Sequence, residues 1–211
     1  LRLITQAGGR LAPDIVRHFA RTGAAHGVEF CVMYGQTEAA PRMSWLPPPL
    51  AEAAPGSIGR AIPGGRLSIL DVDGDAITEP GRSGELVYEG PNVMGGYAQG
   101  RADLAATEVL PCLHTGDIAH FDENGLFYID GRTSRFVNPN GVRVSLDDIE
   151  RDLVPDFPEA AVTGDDRRIV VALGAARTDP DALVDRLATA TALPPDLFIV
   201  VQDRPIPRLA N

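Results

Sequence analysis

One aromatic residue, one glycine and three polar residues follow directly on a predicted buried strand at residues 28–33. They form one run: Tyr34, Gly35, Gln36, Thr37 and Glu38. An aromatic ring can stack on a heterocycle, glycine lets backbone approach a ligand, a hydroxyl can contact phosphate, and a carboxylate can hold a divalent metal. The run therefore fits a metal–nucleotide ligand. A polar loop whose Thr and Glu cap the following turn would have the same residues, and the pentapeptide alone does not separate the two.

A second candidate site pairs Asp117 with Arg132. The sequence Asp-Glu-Asn-Gly at residues 122–125 lies between two apolar runs. This pattern predicts a hairpin, because Asn and Gly tolerate positive φ. Asp117 and Arg132 are then expected near each other at one end of the hairpin. As a polar clamp, Asp117 would accept two hydroxyl protons of a sugar while Arg132 donates to the same ligand. A structural ion pair is the alternative.

The elements that must position these residues begin with a βαβ unit. Apolar runs at residues 1–5 and 28–33 read as buried strands, and the helical spacing after Pro13 predicts a helix between them. Such a unit implies a parallel sheet with ligand chemistry at the carboxyl ends of its strands. One of those ends carries Gly8 and Gly9, and the other carries the run that starts at Tyr34.

The rest of the chain predicts a fold of mixed α/β and α+β class. Short alternating runs at residues 66–72 and 84–89 indicate a small antiparallel sheet or barrel. After residue 140, a helix that Ser145 could cap and a β/α alternation indicate a small α+β domain. We therefore expect a large domain at 1–131, made of a βαβ piece (1–55) and a β-rich piece (56–131), a hinge at 132–136, and a small domain at 137–211.

Composition limits the possible partners. The 211 residues carry a net charge of −10, which argues against a nucleic-acid groove or an anionic membrane surface. We expect a soluble, cytoplasmic protein, since no apolar run is long enough to span a bilayer and Cys31 and Cys112 are far apart in apolar surroundings. All 19 basic residues are Arg. A mechanism that needs a lysine amine cannot be completed by this chain.

Several short motifs together resemble the adenylate-forming superfamily, which includes acyl-CoA synthetases, the adenylation domains of peptide synthetases and beetle luciferases. Each motif is weak alone, but their order and spacing match over nearly the whole chain. They are Tyr-Gly-Gln-Thr-Glu at 34–38, Gly-Glu-Leu at 84–86, Gly-Gly-Tyr at 95–97, Thr-Gly-Asp at 115–117, Gly-Arg at 131–132 and Gly-Val-Arg at 141–143.

The resemblance implies a role for each matching residue in ATP-dependent activation of a carboxylic acid. Tyr34 would stack on adenine, Thr37 would bind the α-phosphate and Glu38 would ligate Mg²⁺. Asp117 would hold the ribose hydroxyls with help from Arg132. Further matches would line the nucleotide or acyl pocket (Gly8, Gly9, Gly35, Gln36), form the hinge (Ser134), or contact the thiol side of the small domain (Gly141, Arg143). An acyl-adenylate and pyrophosphate would form, and a thiol, coenzyme A or the phosphopantetheine of a carrier protein, would then take the acyl group.

The resemblance also implies elements that this chain does not contain. A phosphate-binding loop that ends in lysine is expected before Leu1, and a catalytic lysine is expected after Asn211. Ser134 stands where these enzymes usually carry Asp or Lys. We expect a partial acyl-CoA synthetase that needs the N-terminal remainder of the enzyme, in the same or a separate chain. The alternatives are a degenerate nucleotide-binding homologue without ligase activity and an assembly module.

Overall fold

The computed structural model describes residues 1–98, 100–105 and 110–206, and the chain divides into two compact units, Leu1–Asp130 and Gly131–Asn211. The first unit opens with strand β1 (Leu3–Gln6), helix α1 (Pro13–Ala25) and strand β2 (Glu29–Tyr34). The helix begins at a proline, whose fixed φ suits a first turn. Strands β1 and β2 pair in parallel, with Leu3 opposite Glu29. The predicted βαβ unit is therefore present.

Six further strands extend the same sheet. They are β3 (Ser44–Leu46), β4 (Ser57–Ala61), β5 (Arg66–Leu70), β6 (Gly84–Glu89), β7 (Leu113–Phe121) and β8 (Phe127–Arg132). The strand order is β1-β2-β3-β4-β8-β7-β6-β5, and the pairs β2–β3, β3–β4, β4–β8, β5–β6 and β6–β7 are antiparallel. The mixed α/β class is confirmed.

One feature of this sheet differs from the prediction, which separated the βαβ piece from an antiparallel sheet. The short strand β3 joins the two by pairing with β2 on one side and β4 on the other. Gly59 allows this close approach, because it has φ +81° and a side chain there would overlap the Trp45 carbonyl. Three residues are too few to show a strand period, so the sequence pattern did not reveal β3.

The second unit has its own core and two small sheets. Its elements are β9 (Phe136–Val137), β10 (Val144–Ser145), α2 (Leu146–Leu153), β11 (Ala161–Asp165), β12 (Arg168–Ala172), α3 (Pro180–Thr191) and β13 (Phe198–Val201). Strands β9 and β10 pair with each other, and β12 lies between β11 and β13. The Ser145 side chain accepts a hydrogen bond from the Asp148 amide at 3.2 Å, which caps α2.

Within the described part of the chain, no helix has both the length and the apolar character needed to cross a membrane.

Candidate functional site

The structure brings Tyr34, Gln36 and Asp117 together. Tyr34 ends strand β2, and its hydroxyl donates to Asp117 Oδ2 at 2.5 Å. Gln36 Nε2 donates to the same oxygen at 3.3 Å and to the Thr115 carbonyl at 2.8 Å. Residues from strand β2, from the loop that follows it and from strand β7 thus form one polar cluster. The cluster lies at the carboxyl end of a buried parallel strand, the place where ligands bind in sheets of this kind.

Asp117 is buried on strand β7, with only 3% of the residue exposed. The Thr115 hydroxyl donates to the Leu86 carbonyl at 2.7 Å and accepts from the Asp117 amide at 3.0 Å. Because these contacts fix the backbone that leads into Asp117 and the residue is buried, the carboxylate has little freedom to move. A ligand that binds Asp117 Oδ2 must compete with the Tyr34 hydroxyl.

Thr37 and Glu38 lie in a single 3₁₀ turn, Thr37–Ala39, immediately beyond this cluster. The turn closes at Ala40, which has φ 48° and ψ 52°. Thr37 is exposed and Glu38 is half-buried. Tyr97 donates its hydroxyl to Glu38 Oε1 at 2.6 Å, and this hydrogen bond raises the pKa of Tyr97. The Thr37 hydroxyl and the Glu38 carboxylate are therefore carried on one rigid turn.

The glycines at the two strand ends have different physical roles. A side chain built on Gly8 or Gly9 would meet nothing within 4 Å, so open space adjoins this loop. Gly35 is different, because a side chain there would overlap the Pro41 carbonyl. The packing of its own loop thus requires glycine at position 35, and the predicted approach of a ligand to its backbone stays a prediction.

A metal site built from protein ligands alone is not present among the described residues, which contain no group of three or more His, Cys, Asp or Glu suited to one. Glu38 by itself still fits magnesium that arrives with a nucleotide, because Mg²⁺ is usually bound by one or two carboxylates together with substrate phosphates.

The predicted hinge and clamp residues of the second unit lie near its start. Arg132 ends strand β8 at an exposed position, and Ser134 is exposed in a 3₁₀ turn, Thr133–Arg135. The pairing of Arg132 with Asp117 and the turning of the chain at Ser134 stay predictions.

The residue after Ser134 is firmly attached to the second unit. Arg135 donates to Asp147 at 2.6 Å, to Glu150 at 2.8 Å and to the Val162 carbonyl at 2.5 Å. Glu150 in turn accepts from the Val162 amide at 2.9 Å. The connector therefore belongs to the rigid part of this unit from Arg135 onward.

Gly141 and Arg143 lie in a short exposed segment before strand β10. Gly141 has φ +78°, a backbone conformation that favours glycine. Arg143 lies over the Phe136 ring at 4.4 Å from its centroid and lines a cavity of about 530 Å³ with residues of α2 and α3. Their contact with a thiol substrate stays a prediction.

Sequence reasoning missed the roles of two residues that shape the site, Thr115 and Asn92. Thr115 was part of a quoted motif, but its two hydrogen bonds were not foreseen. Asn92 donates a hydrogen bond to the Ala39 carbonyl, just after Glu38. It follows Gly90 and Pro91, and this sequence pattern predicts a turn and no contact with the site. The Thr115 bond to the Leu86 carbonyl and the Asn92 bond to the Ala39 carbonyl join residues 29 and 53 positions apart, so no local pattern could have identified them.

Comparison with known proteins supports the resemblance. The family model described as "AMP-binding enzyme" matches residues 1–98. An indoleacetate–CoA ligase from Aromatoleum aromaticum is 35% identical over 78% of this chain and 32% of its own length. A 2-succinylbenzoate–CoA ligase from Geobacillus kaustophilus is 35% identical over 77% of this chain and 36% of its own. The chain thus spans about a third of these curated relatives.

A solved structure extends the similarity to the fold. The o-succinylbenzoate CoA synthetase from Bacillus subtilis, in complex with its acyl-adenylate intermediate, matches with a TM-score of 0.74 and 25% identity. The match covers 99% of this chain and 43% of that one. An amide bond synthetase from Marinactinospora thermotolerans matches with a TM-score of 0.69 and 26% identity over 98% of this chain and 43% of its own. With the motif order and the cluster at the end of β2, these matches show that the chain is similar in sequence and in fold to a portion of adenylate-forming, AMP-binding enzymes.

Proposed function

We propose that the protein containing this chain activates a carboxylic acid with ATP and then transfers the acyl group to a thiol, with coenzyme A as the favoured acceptor. The carboxylate of the acid attacks the α-phosphorus of ATP, and the bond to the pyrophosphate leaving group breaks. The thiol then attacks the acyl carbon of the adenylate and AMP leaves. The observation that carries the proposal is the cluster of Tyr34, Gln36 and Asp117 beside the Thr37–Ala39 turn.

The nucleotide would bind along this cluster. The Tyr34 ring offers an aromatic face for adenine, and Gln36 is two residues further along the chain. Gly8 and Gly9, in the loop after strand β1, border open space. Asp117 would accept the ribose hydroxyls, and in doing so it would exchange the hydrogen bond from the Tyr34 hydroxyl for bonds to the ligand.

The phosphates would be bound by the turn that follows. Thr37 is exposed and can donate its hydroxyl to an α-phosphate oxygen. Glu38 would hold Mg²⁺, which neutralises phosphate charge when bound. In the full-length protein, lysines from outside this chain would add positive charge at the phosphates.

The second unit would serve the transfer step. Arg132 would donate to the nucleotide, Ser134 would allow the chain to turn, and Gly141 with Arg143 would contact the thiol substrate. Because Arg135 is anchored to Asp147 and Glu150, any turn must occur before it. A hinge of this kind lets one site present different groups to two successive transition states.

The test is pyrophosphate release by the full-length protein across a panel of aliphatic and aromatic carboxylic acids. We expect release that depends on one acid class, followed by formation of a thioester when coenzyme A is added. Binding of ATP without release for any acid would instead support a degenerate nucleotide-binding homologue. Release that appears only after a second chain is added would support an assembly module.

A further inference from the structure

The Asn92 side chain contacts the backbone at the end of the turn that carries Thr37 and Glu38. Its Nδ2 donates to the Ala39 carbonyl at 2.6 Å and to the Arg42 carbonyl at 2.9 Å. These two carbonyls lie on either side of Ala40, whose φ of 48° is a conformation that few residues other than glycine adopt readily. Asn92 therefore bridges both ends of a strained corner.

The amide of Asn92 is itself fixed in orientation. The Tyr88 hydroxyl donates to Asn92 Oδ1 at 2.8 Å, which leaves Nδ2 facing the two carbonyls. Burial raises the pKa of Tyr88, and its hydrogen bond to Asn92 lowers it less, so the hydroxyl stays protonated and can donate. The Tyr88 ring is fully buried, and side chains at Gly65 or Gly90 would overlap it. The donor thus has a single position.

The segment after Asn92 adds two contacts to the same turn. The Met94 amide donates to the Glu38 carbonyl at 2.8 Å, and the Tyr97 hydroxyl donates to the Glu38 carboxylate. Backbone and side chain of Glu38 are both tied to residues 92–97. The Thr37 and Glu38 positions are consequently set by strand β6 and its following loop, as well as by strand β2.

We propose that Asn92 is a positioning residue of this enzyme, which acts by holding the Thr37–Glu38 turn where the phosphates and Mg²⁺ of the nucleotide bind. This inference rests on the proposed function for its catalytic consequence. The physical reason is that displacing a catalytic group by about 1 Å can lower a rate on the order of 100-fold. Asn92 does not need to touch the substrate for its loss to have this effect.

The first test measures the loop itself and needs no activity. In the full-length protein, hydrogen exchange of the Ala39, Ala40 and Met43 amides should be roughly tenfold or more faster in Asn92→Ala than in the parent, while amides of the β5–β6 pair keep their protection. Asn124→Ala is the matched control, since this exposed asparagine lies in the β7–β8 turn and its side chain makes only a 3.5 Å contact with Asp122. Unchanged exchange at the turn would overturn the proposal, as would an equal rise throughout the unit.

The second test measures the chemical step. Asn92→Ala and the isosteric Asn92→Asp should lower kcat for acid-dependent pyrophosphate exchange roughly tenfold or more and raise the Mg²⁺ concentration that gives half-maximal rate. Tyr88→Phe, which keeps the ring and frees the amide, should give a smaller loss in the same direction. A loosened turn with unchanged kcat would refute the positioning role. A parent protein with no exchange for any acid would refute the proposed function, and hydrogen exchange would still decide whether Asn92 holds the turn.

Discussion

Replacing Asp117 by alanine separates a ribose clamp from a structural network, because the two roles predict different losses. In the unbound protein, Asp117→Ala removes the carboxylate oxygen that accepts hydrogen bonds from the Tyr34 hydroxyl at 2.5 Å and from Gln36 Nε2 at 3.3 Å. Gln36 keeps its bond to the Thr115 carbonyl. A hydrogen bond to a charged group contributes about 1.5–3 kcal/mol, so a fall in melting temperature is expected under either role.

The clamp adds a loss in nucleotide binding. A ribose held by a carboxylate would replace the Tyr34 bond, so the net contribution is smaller than that of two full charge-assisted bonds. We estimate about 2–4 kcal/mol. This corresponds to roughly 30- to 700-fold weaker ATP binding in Asp117→Ala.

The assay is calorimetric titration of the folded full-length variants with ATP and Mg²⁺. Tyr34→Phe is the informative partner, because it keeps the ring for stacking and removes the hydroxyl that competes for Asp117 Oδ2. It should melt at a lower temperature and still bind ATP at least as tightly as the parent. If Asp117→Ala melts lower but binds ATP with unchanged affinity, the clamp assignment is wrong and the cluster is structural.

Two further predictions concern the hairpin turn and the connector. Partial burial raises the pKa of Asp122, but hydrogen bonds from the Leu126 and Asn124 amides outweigh it and lower the pKa below its usual value. The folded state therefore gains stability from this carboxylate above about pH 4, the pKa of the unfolded state, and loses that stability as the pH falls through the lower folded pKa. Urea unfolding should show that Asp122→Asn loses less stability than the parent in this acid range. The control Glu123→Gln should lose as much stability as the parent. Ser134→Pro disfavours the helical backbone at the preceding residue and restricts the turn. The rate of one half-reaction of the full-length enzyme should therefore fall roughly tenfold or more and the rate of the other much less, while the control Ser134→Ala keeps both rates. Equal small losses in both half-reactions would show that the chain does not turn at this residue.

Local patterns predicted the elements whose causes are local. Helix α1 begins at Pro13, helix α2 is capped by Ser145, and strands β1 and β2 pair in parallel, as the sequence indicated. Each of these depends on residues within about one turn or on an apolar run with clear ends. The same holds for the β7–β8 turn, where Gly125 has φ +69°.

Features that depend on distant partners could not be predicted. The carboxylate of Asp117 meets Tyr34 across 83 residues, and Asn92 reaches the turn across 53. Strand β3 pairs with β4 beside Gly59, which lets the two backbones approach closely. The motif order indicated that the residues at 34–38 and 115–117 belong to one site, but the hydrogen bonds that join them follow from sheet order, which no single segment encodes.

The most direct test of the central claim is acid-dependent exchange of labelled pyrophosphate into ATP, measured on the full-length protein and on the isolated 211-residue chain. Exchange requires reversible formation of an acyl-adenylate, and its transition state needs positive charge at the phosphates. This chain contains no lysine to supply that charge. We predict exchange with at least one class of carboxylic acid for the full-length protein and none for the isolated chain. Absence of exchange from a folded, ATP-binding full-length protein, or exchange by the isolated chain, would contradict the account.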